Sequence, residues 1–228
     1  MIDLLRKRHF LIPDMEQLEA GEELLGSFDI DCIQPETLLF QTGYVTIQKR
    51  IRQGMRYKYY LSYPNLEVKM SLTGAVLNAY TLNLQKKERL QSSLYIALEQ
   101  NNLDSLGDIF HAFFASIPHD WYRKNALSDY EGYYASIVYC YFAALGLDVT
   151  PEDTTNHGRI DLSIRFAGRV YLLEFKVNEL TGSGQALAQL KEKKYHEKYQ
   201  GKEVYLIGIE FSKTDRNITR FECEKVDS

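Results

Sequence analysis

The sequence predicts an α/β (α+β) fold: a central mixed sheet flanked by helices, preceded by a winged-helix-like and helical N-terminal region. Three observations predict it. From residue 130 the patterns run α-β-β-α-β-β, which requires a sheet covered by helices. Tyr171, Leu172, Leu173, Phe175 and Val177 form a nearly continuous apolar run, as expected of a strand buried on both faces. Ahead of residue 65, a short helix is followed by two β-like runs, the order of a small winged-helix unit.

In chain order, residues 2–7 and 14–25 read as helices, the second with Asp14 as N-cap. Residues 35–42 form a short helix that Gly43 stops. The runs Tyr44-Val-Thr-Ile47 and Tyr57-Lys-Tyr-Tyr-Leu61 read as strands, and the basic segment 48–56 between them turns at Gly54. Leu66, Met70, Leu72, Ala75, Val76 and Tyr80 recur at helical spacing. Residues 85–117 read as two amphipathic helices broken near Asn101-Asn102, and residues 117–124 as a junction. Ser128 or Asp129 caps a helix over 130–145 that Gly146 ends. Strands follow over 159–166 and 169–177, with Ala167-Gly168 at the turn, then a helix over 183–199 and strands over 203–211 and 217–224. This divides the chain into a winged-helix-like region (1–80), a helical connector (81–125) and a C-terminal domain (126–228).

Composition narrows the function classes. A net charge of −4 gives no global attraction to a polyanion, so nucleic-acid contact must come from local basic patches. Cys32, Cys140 and Cys223 show neither zinc spacing nor a paired framework, and read as reduced thiols. The N-terminus has no long apolar run, so neither a signal peptide nor a membrane span is expected, and the cytoplasm is the default location.

The chemistry concentrates in Gly158-Arg-Ile-Asp161 and Glu174-Phe-Lys176. Glu174 and Lys176 share one face of their strand. If Ala167 and Gly168 are the central turn residues, Asp161 lies opposite Glu174, with Cβ atoms about 4.5–5.5 Å apart. A bulged turn would shift this by one residue. Two such carboxylates repel unless a cation lies between them. Mg²⁺ takes oxygen ligands at about 2.0–2.1 Å and commonly uses one or two carboxylates plus substrate phosphate. Lys176 could hold the attacking water. The plainer alternative is an exposed hairpin with a solvated Glu–Lys pair, but the apolar flanks make uncompensated charge costly there.

These residues resemble the PD-(D/E)XK nuclease superfamily, more narrowly the bacterial branch found C-terminal to an AAA-ATPase-like region. The resemblance covers about residues 125–220. It includes Tyr130-Glu131-Gly-Tyr-Tyr, Gly158-Arg159-Ile-Asp161, the Glu-Phe-Lys triplet, Ala186-Leu-Ala-Gln189-Leu and Tyr195 to Tyr199. Leu38-Leu-Phe-Gln-Thr-Gly-Tyr-Val-Thr-Ile47 and Tyr63-Pro-Asn-Leu-Glu-Val68 resemble the segment ahead of the nuclease in that architecture.

The resemblance implies a nuclease-type core, with Mg²⁺ (or Mn²⁺) held by Asp161 and Glu174 with help from Glu131. It also implies a catalytic Lys176 and a substrate- or metal-proximal Gln189. The proline of the motif is Ile160 here. No GxxxxGK[ST] loop occurs, so ATP chemistry is not expected, and the chain reads as part of a longer ATPase-linked architecture.

Other candidates carry open alternatives. Glu131 is a metal-supporting residue or an ordinary first-turn acid, and Gln189 an assisting residue or a solvated polar position. Arg159 contacts phosphate or pairs with Glu152 or Asp153. His157 and His196 are catalytic or structural. Lys49, Arg50, Arg52, Arg56 and Lys58 form a nucleic-acid-binding wing or a solvated hairpin tip. Lys191, Lys193, Lys194, Lys198 and Lys202, mixed with acids, read as an exposed helix face. The expected activity is Mg²⁺-dependent hydrolysis of phosphodiesters, in DNA before RNA. The alternative is a nuclease-fold module that binds nucleic acid or a protein without cutting; a third reading makes residues 1–120 a purely structural connector or oligomerisation surface.

Overall fold

Nearly continuous burial along the central C-terminal strands builds the sheet that positions the site. The computed structural model describes residues 2–7, 10–22, 33–81, 84–117, 131–155 and 158–226, with the side chains of Asp3, Arg6, Lys7 and Glu131 excepted. The expectations for the junction after Ile117, for the caps Ser128 and Asp129, and for Cys32 and His157 lie outside the described residues. Among these residues, β4 (Asp148–Thr155), β5 (Gly158–Phe166), β6 (Arg169–Val177), β7 (Glu203–Ser212) and β8 (Asn217–Lys225) form one sheet in the order β4-β5-β6-β7-β8. The β6–β7 pair is parallel and the other pairs are antiparallel, so the sheet is mixed.

Strand β4 corrects the sequence reading, which left residues 148–155 unassigned. Pro151 and Glu152 hide it, because proline lacks a ladder donor. Its place at the sheet edge makes proline tolerable. Val149, Pro151 and Asp153 alternate inward.

One face of the sheet packs on α3 (Leu66–Tyr80), α5 (Leu103–Phe114) and α6 (Glu131–Ala144). From Tyr133 to Ala143 nearly every α6 side chain is buried, as expected of a helix apolar all round. Phe110, Phe113, Phe114, Tyr134, Tyr141 and Phe211 interlock there; Tyr134 stacks on Phe211 with centroids 4.1 Å apart. Each such burial contributes about 1.5–3 kcal/mol. Between α3 and α5 runs α4 (Leu84–Glu99), and the helix break falls at Asn101-Asn102 as the sequence predicts.

The same apolar cluster continues into the N-terminal region through Leu5, Met15, Leu18, Leu39 and Leu61. There α1 (Ile2–Lys7) and α2 (Pro35–Gln41) agree with expectation. Of the helix expected over 14–25, residues 23–25 lie outside the described residues, and residues 14–21 are not α-helical. A 3-10 turn (Ile12–Glu16) leads instead into β1 (Leu18–Gly21), which pairs with β3 (Arg56–Ser62), itself paired with β2 (Thr46–Gln53). Leu18 and Ala20 point inward while Glu19 and Gly21 point out: a period of two, which a sheet partner rewards and a helix would not. The hairpin is also longer than predicted, so the basic residues lie within its strands rather than in a connecting loop.

The opposite sheet face carries a smaller cluster: Ile160, Val170, Leu172, Val204 and Leu206 beneath Leu190, Tyr195 and Tyr199. The single helix expected over 183–199 is replaced by α8 (Gln185–Glu192) and a 3-10 turn (Tyr195–Tyr199), and a short α7 (Asn178–Thr181) precedes them. Lys194, at φ 47, is left-handed and breaks the α-helical path.

Candidate metal centre

Ala167 and Gly168, both at positive φ (50 and 80), make the two-residue turn that sets the register of β5 on β6. The pairs run from Phe166–Arg169 to Leu162–Leu173, the register predicted for those central turn residues. Beyond Leu162 the strands part. Ile160 is paired with Asp153 of β4, and Glu174 with Gly208 of β7.

Asp161 sits at this fork. Ile160 packs in the smaller cluster, whereas Leu162, two residues on, packs in the larger one. Strict alternation would put both on one face, so β5 turns over at Asp161. Glu152 on the neighbouring strand is left-handed, at φ 47, beside this irregularity. The Asp161 carboxylate therefore reaches across the gap, where Oδ2 accepts the Phe175 backbone N–H at 2.9 Å. An undistorted hairpin would aim that N–H at Ile160. The pairing geometry thus gives way to a carboxylate one peptide unit from Glu174.

Glu174 is 1% exposed, a costly place for a carboxylate unless it is bonded. Its Oε1 accepts the Lys176 ammonium at 2.9 Å and also the Gln189 side-chain amide. Lys176 Nζ donates to the Phe175 carbonyl as well, at 2.9 Å. Charge-assisted bonds of this kind contribute about 1.5–3 kcal/mol each.

Two features of β7 bring Gln189 into reach. A Cβ on Gly208 would lie 2.5 Å from the Leu187 backbone nitrogen, so only glycine lets α8 approach the strand this closely. Buried Glu210 then caps α8, accepting the Gly184 N–H at 2.9 Å, the Ala186 N–H at 3.2 Å and the Ser183 hydroxyl at 3.2 Å.

Tyr195 belongs to the same cluster, and the sequence reading gave it no chemical role. Its hydroxyl lies 3.0 Å from where a Cβ on Gly158 would stand, a tight approach, and Gly158 is at φ 142, a backbone that favours glycine. Burial, then the negative charge of Glu174, pushes the Tyr195 phenol above its ordinary pKa, with Gln189 opposing and Asp161 adding. It stays protonated and is a donor at neutral pH. A tyrosine six residues after Gln189 was the available signal.

The remaining candidates are placed elsewhere or not described. The side chain of Glu131 and the whole of His157 lie outside the described residues. Arg159 pairs with Glu152 at 2.8 Å, on the exposed surface. His196 Nδ1 is buried. Lys198 is exposed, as expected, but sits in the 3-10 turn and reaches a buried acid. With Tyr199 and Ser163 it bonds Asp153, which is 5% exposed. Burial alone would raise the Asp153 carboxyl, but those hydrogen bonds outweigh it and hold its pKa below the ordinary value. This cluster ties the 3-10 turn carrying Tyr195 to β4 and β5. On the β2–β3 hairpin, Arg50 lies 4.5 Å over the Tyr57 ring, Arg52 donates to the Gly54 carbonyl, and Lys58 pairs with Glu19 at 2.5 Å. Lys49 and Arg56 are exposed.

Among the described residues, no group of three or more His, Cys, Asp or Glu side chains gathers to hold a metal. What gathers is a pair of carboxylates at the fork, with an ammonium lodged between Glu174 Oε1 and the Phe175 carbonyl oxygen. A position that already accepts a cation between hard oxygens fits Mg²⁺, which binds one or two carboxylates and keeps several waters.

Comparison with known proteins agrees with this geometry. The chain is 49% identical, over 228 residues, to a protein described as "Uncharacterized protein in vnfD 5'region" from Azotobacter chroococcum mcd 1; the match covers 99% of this chain and 44% of that protein's length. No solved structure matches the chain. No helix among the described residues is long and apolar enough to cross a membrane. A family model described as the PD-(D/E)XK nuclease superfamily matches residues 129–221, a span that holds Asp161, Glu174, Lys176 and Gln189. Residues 129–221 are therefore a domain of the PD-(D/E)XK nuclease superfamily.

Proposed function

We propose that this domain is a Mg²⁺-dependent nuclease that hydrolyses phosphodiester bonds, with DNA as its substrate. The observation that carries the reading is the convergence of Asp161, Glu174, Lys176 and Gln189 where β5 and β6 part. Asp161 and Glu174 would hold the ion, with Glu131 as a third candidate ligand. Bound there, Mg²⁺ supplies Lewis acidity at a phosphoryl oxygen and lowers the pKa of its water. Lys176 orients the attacking water and offsets charge developing on the phosphate. Gln189 holds the Glu174 carboxylate in place. Water adds to phosphorus as a P–O ester bond breaks, leaving a phosphomonoester and an alcohol.

Lys49, Arg50, Arg52 and Arg56 contact the substrate backbone, with lesser roles for Lys58 and Arg159, whose charges Glu19 and Glu152 offset. In this reading residues 1–80 form a winged-helix-like substrate-binding region, 81–125 a connector, and 126–228 the nuclease. The same reading places an ATPase-like region in a longer parent protein; the Azotobacter relative extends well beyond the match.

The test is cleavage of plasmid and linear DNA with Mg²⁺ or Mn²⁺. Lys176→Ala should lower the rate about 10²–10⁴-fold, and Asp161→Ala should abolish metal-dependent cleavage. Wild-type protein that cuts nothing, or variants that cut as well as wild type, would sink the reading. A second reading, a non-cutting binding module, draws on the ion pair between Lys176 and Glu174, which could satisfy the centre without a metal. Nucleic-acid binding without cleavage would favour it.

A further inference from the structure

The β2–β3 hairpin carries cations on both faces. Directly paired residues share a face, and the pairs are Gln53–Arg56, Arg52–Tyr57, Ile51–Lys58, Arg50–Tyr59 and Lys49–Tyr60. Lys49 and Arg56 therefore lie on one face, Arg50 and Arg52 on the other. The two arginines of the second face are preorganised, one stacked on Tyr57 and the other bonded to the turn carbonyl of Gly54. At the tip, Gly54 (φ 65) and Met55 make the turn, and Met55 is 90% exposed. An apolar side chain held in water at the apex of a basic ribbon is unexplained by folding.

We propose that this hairpin enters the major groove of duplex DNA tip-first. Each charged face meets one of the two phosphate rows, and Met55 touches thymine methyl groups on the groove floor. A single strand offers one phosphate row and leaves one face without a partner. The major groove of B-DNA, about 12 Å wide, admits a two-stranded β-ribbon and displays the thymine methyl. The deep, narrow major groove of A-form RNA does not admit one. The inference deepens the nuclease reading by naming its substrate class and rests on it for the choice of DNA.

The experiment measures binding of the full chain in EDTA, where no cleavage occurs, to duplex DNA, its single strand and duplex RNA across a range of salt. Duplex DNA should bind at least about tenfold more tightly than either of the others. Arg50→Ser with Arg52→Ser should lower the slope of log affinity against log salt by about 1.8, and Lys49→Ser with Arg56→Ser should do the same. Met55→Ser should weaken duplex binding about fourfold without changing the slope. Replacing thymine by uracil should weaken the wild type similarly and leave the Met55→Ser protein unaffected. Equal affinity for single strands, a slope that responds to only one face, or indifference to both Met55 and thymine would each overturn the proposal. Because the assay contains no metal, these outcomes are separate from failure of the nuclease centre, which is read by cleavage.

Discussion

The two hairpins, β2–β3 and β5–β6, are built alike and used differently. Each closes through a two-residue turn with a left-handed glycine, Gly54 in one and Gly168 in the other, and each carries charged residues in its strands. In β2 nearly every side chain is exposed, whereas β6 is buried almost throughout. On the exposed hairpin charge costs little to fold and is available to a partner outside the molecule. On the buried hairpin a charge needs an internal partner, and Glu174 has Lys176 and Gln189. The adjoining edge strand β4 follows the same rule: its buried Asp153 draws Ser163 from β5 along with Lys198 and Tyr199. Burial of the flanks, rather than residue type, decides which charges are chemically committed.

The largest effect that would break this contrast is expected at Asp153. Asp153→Asn should cost about 1.5–3 kcal/mol, because it removes the buried charged acceptor that Lys198, Tyr199 and Ser163 share. The folded-state pKa of Asp153 is depressed, so its contribution is present above the unfolded value of about 3.9 and lost as pH falls through the folded value. Urea unfolding of both proteins should therefore differ most at neutral pH and converge in acid. A constant difference down to pH 2 would contradict the assignment.

Gly208→Ala comes next. Its Cβ would press on the Leu187 backbone, so α8 must shift, at about 1–3 kcal/mol. Chemical denaturation should record that loss, accompanied by weaker metal binding as Gln189 moves away from Glu174.

A smaller and opposite change is expected at the buried hairpin's turn. Ala167→Asn should stabilise by roughly 0.5 kcal/mol, since asparagine tolerates the left-handed backbone that alanine adopts there at a cost. A lower melting temperature would show that the turn does not govern the register. Smallest of all, Arg52→Ser on the exposed hairpin should leave the melting temperature unchanged within error.

Much of this was legible beforehand, for reasons the hairpins make plain. The β5–β6 register followed from the turn residues Ala167 and Gly168, because a two-residue turn leaves one pairing once one face is buried. The Glu-Phe-Lys triplet stood out because charge interrupts an apolar run. The reversal of β5 at Asp161 was not legible, since it depends on the neighbouring strand β4, which Pro151 and Glu152 disguise. The role of Glu210 was hidden for a similar reason: an isolated glutamate in a strand gives no sign that a helix N-terminus will arrive above it. Tyr195 reaches the site only because Gly158 and left-handed Lys194 clear its path. Residues 14–21 misled because their apolar spacing suits a helix until β3 supplies a partner for Leu18 and Ala20.

The central claim is that the fork between β5 and β6 presents Asp161 and Glu174 together to one divalent ion. Isothermal titration of the full chain with Mn²⁺ tests it most directly, alongside Asp161→Asn. One site in the wild type, weakened at least about tenfold by the substitution, is the expected result. Equal heats from the two proteins, or none from either, would contradict it.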